Sequence, residues 1–453
     1  MPDLDKTNEE IHTDTPAKKR GRPKKHVQEE TEDTSAKKRG RPKKSDAGAV
    51  QAVPRRERPT ELVFALDIGT RSVIGIVAEQ REGLLHILAT ERLEHKTRAM
   101  LDGQIHDVPQ VAAIIREVKR RLTERTGALN SAAVAAAGRA LYTMTAEADQ
   151  DITGTITPAQ QRDLDFAGVQ AAQRKLAHSH TVDDPTRYYC VGYSTIRYTL
   201  DGNDLKTLVG QRGRHAQATV IATFLPRQVV DSMQSALRET HLEMRALTLE
   251  PIAGINVLIP PTMRHLNLVL VDIGAGTSDV AITRGGSVIA YGMVPMAGDE
   301  ITEAISREYL LDFNIAEDIK RKAADGQDVS FTDILGMKLS LTAEQVVTAI
   351  RPGVEHLANA IAKQILELNG EPPQAVMLVG GGALTPMMPE LVAAALGIPE
   401  ARVAVRQPEE VDGVAELPAE LHTPDAVTPL GILKIASINT LHFLAVWIND
   451  IEY

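Results

Sequence analysis

The pattern that most constrains this chain is a strand-turn-strand built on Asp-Ile-Gly, and it occurs twice. Leu62 to Val77 reads LVFALDIGTRSVIGIV, and Leu268 to Thr283 reads LVLVDIGAGTSDVAIT. Each copy is a β-branched apolar run, an acidic residue, a small flexible turn and a second β run, the signature of a hairpin. Two such hairpins about half a chain apart predict a duplicated fold of two facing lobes. Each lobe then offers one acid and one glycine turn to a ligand held between them.

The 453 residues suffice for two to four domains with sizeable cores. The single cysteine, Cys190, excludes a disulfide framework, fits a reducing compartment and reads as a core residue. No apolar run reaches the length of a membrane span, and the polar N-terminus does not read as a signal peptide. The 13 histidines show no ligand spacing, so no zinc site is expected.

Charge is divided unevenly. Residues 1–59 hold 16 basic and 11 acidic side chains, whereas the rest holds 34 and 49. The body is therefore acidic, and nucleic-acid binding by charge belongs to the tail. That tail, residues 1–60, is poor in aromatic and long apolar residues and is expected to be disordered. It contains a perfect repeat, AKKRGRPKK, at Ala17–Lys25 and Ala36–Lys44. Gly21 and Gly40 let the backbone approach the floor of a narrow groove, and Pro23 and Pro42 hold it extended. Arg20, Arg22, Arg39 and Arg41 can then lie along an A·T-rich minor groove, while the lysines neutralise phosphates. The repeat resembles the AT-hook, a minor-groove DNA-binding motif. A solvated basic tail that aids solubility is the alternative.

In the body, Val111, Ile114, Ile115, Val118 and Leu122 share one helix face, with Asp107 as cap and Pro109 in the first turn. Ala132–Gly138 reads as a buried strand, and Thr157-Pro158 opens a second helix to about Leu176. Thr219–Leu225 reads as another buried strand. A further hairpin turns at Arg284-Gly285-Gly286. Thr342 and Gln345 form a capping box, and Arg351-Pro352-Gly353 is expected to bend or break the helix that follows. Val354, Leu357, Ile361, Ile365 and Leu368 then carry an apolar stripe, followed by the strand Ala375–Val379 and three glycines, Gly380, Gly381 and Gly382.

Glycine turns let backbone N–H groups reach phosphate oxygens, and an adjacent Asp can hold hydrated Mg²⁺. Asp67 with Gly69 and Thr70 supplies one such set; Asp272 with Gly274, Gly276 and Thr277 supplies the other. Either alone is compatible with an ordinary turn, but the repetition is not easily explained that way.

The ensemble resembles the actin-like ATPase superfamily. Asp67–Ser72 and Asp272–Asp279 look like its two phosphate motifs, and LVGGGAL at Leu378–Leu384 looks like its adenosine motif. Glu250, in LEPIAGI, matches the motif with an acid beside the attacking water, although it can equally cap the following helix. Gly298, Glu317 and Lys320 match the stretch that reaches ribose and adenine, although the last two can also be an i,i+3 surface pair. Pro429-Leu430-Gly431 resembles the closing helix. The resemblance covers roughly residues 60–435.

It implies an α/β, duplicated ribonuclease-H-like (actin-like) two-lobed fold with a small α+β inserted domain. The first lobe is expected at 61–83 and 185–255 and the insertion at 84–184. The second lobe is expected at 256–436, with a helical subdomain near 300–370. Residues 437–453 would be a strand or the start of a further domain. An insertion at that place is similar to that of FtsA, a cytoplasmic bacterial division protein that binds ATP, polymerises and links the tubulin-like division ring to the membrane. The implied cofactors are ATP and Mg²⁺, with Asp67 and Asp272 as metal ligands, Glu250 as the catalytic residue that acts as general base or orients the attacking water, and slow hydrolysis. The implied partners are further copies in a filament, a tubulin-like division protein and, through the tail, A·T-rich DNA at the nucleoid or septum. Two features depart from FtsA: the paired hooks, and a chain that ends LHFLAVWINDIEY where FtsA carries a membrane-binding amphipathic helix. A DNA-segregation actin would also explain the hooks. A small-molecule kinase of the same superfamily is a further alternative, although no substrate-domain acid motif stands out in this sequence, and a DnaK-type chaperone is disfavoured because no peptide-binding β domain is read after the ATPase.

Overall fold

The computed structural model describes residues 62–137, 141–179 and 187–437. The tail with both AKKRGRPKK copies, and residues 438–453 of the expected C-terminal strand, lie outside the described residues.

The first lobe begins with a meander of β1 (Leu62–Ile68), β2 (Ser72–Arg81) and β3 (Leu84–Glu94). A small hairpin, β4 (Met100–Leu101) and β5 (Gln104–Ile105), leads to α1 (Val108–Thr126) and β6 (Ser131–Ala136). The Asp107 carboxylate accepts a hydrogen bond from the Gln110 N–H at the start of α1, and Val111, Ile115, Val118 and Leu122 are buried. Then come β7 (Tyr142–Asp151), α2 (Pro158–His178), β8 (Tyr188–Leu200), β9 (Asn203–Leu205) and β10 (His215–Pro226). The chain returns to the first lobe with α3 (Arg227–Glu239), β11 (Glu243–Leu249) and α4 (Glu250–Leu258).

The second lobe repeats the plan with β12 (Leu268–Ile273), β13 (Ser278–Arg284) and β14 (Ser287–Val294). Next are α5 (Gly298–Tyr309), α6 (Phe313–Ala324), the hairpin β15 (Val329–Thr332) and β16 (Lys338–Leu341), and α7 (Ala343–Asn369). The lobe ends with β17 (Ala375–Val379), α8 (Met388–Leu396) and β18 (Val403–Val405), and α9 (Val427–Ser437) follows.

The duplication holds strand for strand. One sheet runs β11-β6-β1-β2-β3 and the other β18-β17-β12-β13-β14. In each, the hairpin strands pair antiparallel, while the fourth and fifth strands join parallel on the other side of the first. The central strands are apolar on both faces because both faces are covered. In β1, Phe64, Leu66 and Ile68 face a core with α1 and α3, and Val63 and Ala65 face one with α9. In β12, Val269, Val271 and Ile273 face the helices α5 to α8, and Leu270 faces α4 and α9. Ala253 and Leu430 belong to the first lobe's core, whereas Ile255 and Val427 belong to the second's, so α4 and α9 join the two.

Two expectations are corrected. The 84–184 block is not a unit. β3 pairs with β2, and β6 pairs with both β1 and β11, so 84–136 completes the first lobe's sheet. The separate α+β layer comes from residues 142–226, with sheet order β7-β10-β8-β9 and α2 against it. Thr219–Leu225, expected in the first lobe, is part of β10 in this layer. Nor does Pro352 break its helix: α7 runs 27 residues through it. Buried Val346, Ile350, Val354, Leu357, Ile361 and Ile365 hold both sides of the proline on one core, which offsets the hydrogen bond proline removes.

The α4–α9 contact is close enough to exclude any side chain at Gly431. A Cβ there would lie 2.2 Å from the Ala253 carbonyl oxygen, which is backbone inside a helix. Gly431→Ala is therefore expected to cost about 3 kcal/mol, read as a lower denaturant midpoint in chemical unfolding.

Candidate functional site

Both Asp-Ile-Gly turns open into one cleft of about 560 Å³. Asp67 is the last residue but one of β1, opposite Ile74, and Asp272 holds the same place in β12, opposite Asp279. A tight turn follows each: the Gly69 N–H donates to the Ser72 carbonyl at 3.0 Å, and the Gly274 N–H to that of Thr277 at 2.9 Å. His95 braces the first turn. Its Nε2–H donates to the Gly69 carbonyl at 3.1 Å, and burial holds the ring's pKa below the usual histidine value.

The third glycine turn leans on the second acid. Gly380 has φ +82°, and a Cβ there would stand 2.4 Å from Asp272 Oδ1. Gly381 and Gly382 follow it along the cleft wall. The Thr428 hydroxyl of α9 donates to Asp272 from the other side. Glu250 enters the same space as the first residue of α4, one position past the cap residue Leu249.

Glu317 of α6 is buried and pairs at 2.8 Å with the largely shielded Lys320, and both line the cleft, so the surface-pair alternative is set aside. Lys320 Nζ also donates to the Gly298 carbonyl at 2.9 Å and to the Thr302 hydroxyl at 2.7 Å. Burial alone would raise the Glu317 pKa, but Lys320, Thr302 and Arg71 hold it down at about 2. Every residue expected at the site lines the cleft except Gly276, which lies behind the wall. A Cβ on it would meet the Asp102 backbone at 2.9 Å, so its smallness makes room for the β4–β5 turn.

Four participants escape a sequence reading. Arg71 pairs with Glu317 at 3.3 Å, Arg92 pairs with Asp425, and Asp425 and Thr428 both line the cleft. Their only sequence signal is proximity to a motif, for Arg71 and Thr428; Arg92 and Asp425 meet across 333 residues and have none.

The deep end of the cleft concentrates acid. Burial raises the Asp67 pKa to about 7, aided by Asp272 and Asp425 and opposed by Arg92. Burial likewise raises Asp272 to about 6, against the Thr428 hydrogen bond. Glu250 is pushed well above the ordinary carboxylate range by burial and then by Asp279, Asp67 and Asp272. Among the described residues no three acidic, His or Cys side chains form a complete cation cage. Two opposed carboxylates in an oxygen-rich cleft instead suit a hard cation that keeps water and accepts phosphate oxygens, as Mg²⁺ does. Acids whose folded pKa is raised stabilise the fold below about pH 4 and lose that contribution as pH rises through 6 to 7. Without a divalent cation, the body should lose thermal stability between pH 5 and pH 8. Asp67→Asn should flatten that decline and raise Tm at pH 8.

Residues 269–431 match the family model of cell division protein FtsA. The chain is 22% identical to the FtsA of Streptococcus pneumoniae over 362 residues, 76% of this chain and 75% of that one. It is 23% identical to the FtsA of Escherichia coli strain K12 over 400 residues, 84% of this chain and 92% of that one. Among solved structures, a chain of the PilM-PilN type IV pilus biogenesis complex superposes with a TM-score of 0.61 at 18% identity, covering 83% of this chain and 99% of that one. Strand order and duplicated hairpins give the chain the actin-like fold, and its sequence is similar to proteins named FtsA.

Proposed function

We propose that the cleft binds Mg-ATP and that the chain works as an FtsA-like cytoskeletal adaptor in bacterial cell division, with a tail that contacts A·T-rich DNA. The observation that carries the nucleotide reading is the convergence of Asp67, Asp272 and Glu250 with three glycine turns in one cleft. Asp67 and Asp272 would hold hydrated Mg²⁺, which would supply charge neutralisation to the phosphates. The N–H groups of the first two turns that are not used inside the turns would be available to phosphate oxygens, and Gly380–Gly382 would leave room for the nucleoside. Glu317 and Lys320 sit where ribose hydroxyls would arrive. Glu250, with its raised pKa, is suited to orient a water and take its proton, and hydrolysis is expected to be slow.

Division and filament formation follow from likeness to proteins named FtsA. On this reading the partners are further copies of the chain and a tubulin-like division protein, and the location is the cytoplasm near the septum. Among the described residues no helix is long and apolar enough to cross a membrane. The doubled AKKRGRPKK favours one further reading, an actin-like DNA-segregation protein. ATP-dependent sedimentation separates the outcomes: polymer with ATP alone fits the adaptor, and polymer that forms only with A·T-rich duplex fits segregation.

Asp272→Asn should weaken Mg-ATP binding at least about tenfold in equilibrium titration, and unchanged affinity would remove the metal role. Arg22→Ala with Arg41→Ala should abolish the mobility shift of an A·T-rich duplex in the full chain. Equal binding by the parent and this double variant would exclude the minor-groove role.

A further inference from the structure

Arg71 stands in the first glycine turn and lines the cleft, and its guanidinium pairs with the other lobe. Its Nη2 lies 3.3 Å from Glu317 Oε2 on α6 of the second lobe. Two more ion pairs cross at the same side. Arg321 of α6 reaches Glu94, the last residue of β3, at 2.7 Å, and Arg98 reaches Glu303 of α5 at 2.9 Å. Phe313, the first residue of α6, carries the Arg71 guanidinium 5.2 Å and the Arg98 guanidinium 4.7 Å from its ring centre. The pairs are linked, because Glu317 binds Arg71 through one oxygen and Arg321 through the other. These pairs join the lobes through α5 and α6, whereas α4 and α9 join them through apolar packing.

The geometry points to an electrostatic clasp: the β1–β2 turn, β3 and the segment after β3 grip α5 and α6 through Arg71–Glu317, Glu94–Arg321 and Arg98–Glu303, and this grip sets how fast nucleotide leaves the cleft. The inference rests on the nucleotide reading of the site, since it assigns the gate of that same cleft. The device suits a gate. The inner pair is largely shielded, at 18% and 11% exposure, whereas Arg98 and Glu303 remain 45% and 40% exposed. Exposed pairs are individually weak and salt-sensitive, so the outer members can open without unfolding either lobe. The clasp also joins the phosphate turn directly to the helix bearing Glu317 and Lys320. Contacts at the phosphates and at the ribose would therefore be made together.

Arg98 and Glu303 do not line the cleft, so they test the clasp without touching the binding groups. Adenine-labelled ATP is loaded with Mg²⁺ onto the full chain and chased with unlabelled ATP. Arg98→Glu and Glu303→Arg should each speed release roughly fivefold, and the swapped double variant should restore the parental rate. Release from the parent should quicken as salt is raised, and release from the single variants should quicken less. Hydrogen exchange of α6 amides without ligand reads the clasp independently: faster in each single variant and restored in the swap. Unchanged release and exchange in the single variants, or a swap that fails to restore them, would overturn the clasp. If the parent retains no nucleotide, the reading of the cleft fails, and the exchange result still decides the clasp.

Discussion

The structure turns on the confrontation of carboxylates at the base of the cleft. Asp67 and Asp272 come from equivalent positions of two repeated strands, and Glu250 from the helix between the lobes. Burying acids together disfavours their charged forms, which is why all three carboxyls are pushed upward. A fold does not retain such an arrangement for stability, because apolar replacements would hold it better. The cluster makes sense as the half of a site that a cation completes.

The rest of the fold delivers these acids. Each sheet has its apolar first strand at the centre, covered on both faces, so the strand end that carries the aspartate is fixed by two cores. The pairing of α4 with α9 is tight enough to require Gly431, and it contributes Glu250 from one helix and Thr428 from the other. The lobes also meet through ion pairs that screening weakens. The lobes are thus joined by packing through α4 and α9 and by ion pairs through α5 and α6.

The hairpins, the capping box at Thr342, the Asp107 cap and the glycine turn after β17 were legible because each is a local pattern. The cleft followed from symmetry: two like turns in two like lobes must face something. What sequence did not disclose is non-local. The Ala132–Ala136 run has a strand's texture whether it lies in an inserted layer or the main sheet, and its pairing with β1 and β11 decides the matter. Pro352 carries a strong local signal against a helix, but buried residues on both sides outweigh it. Arg71 has no local partner; Glu317 lies far along the chain and becomes its neighbour only when the lobes assemble.

The central claim is that the raised carboxyls await a cation brought by nucleotide. Calorimetric titration of the full chain with Mg-ATP near pH 7, repeated in buffers of different ionisation enthalpy, counts the protons exchanged. The account predicts binding that requires magnesium and releases about one proton per site as the cation forces the acids to ionise. Absence of binding, or binding of equal strength without magnesium and without proton release, would contradict it.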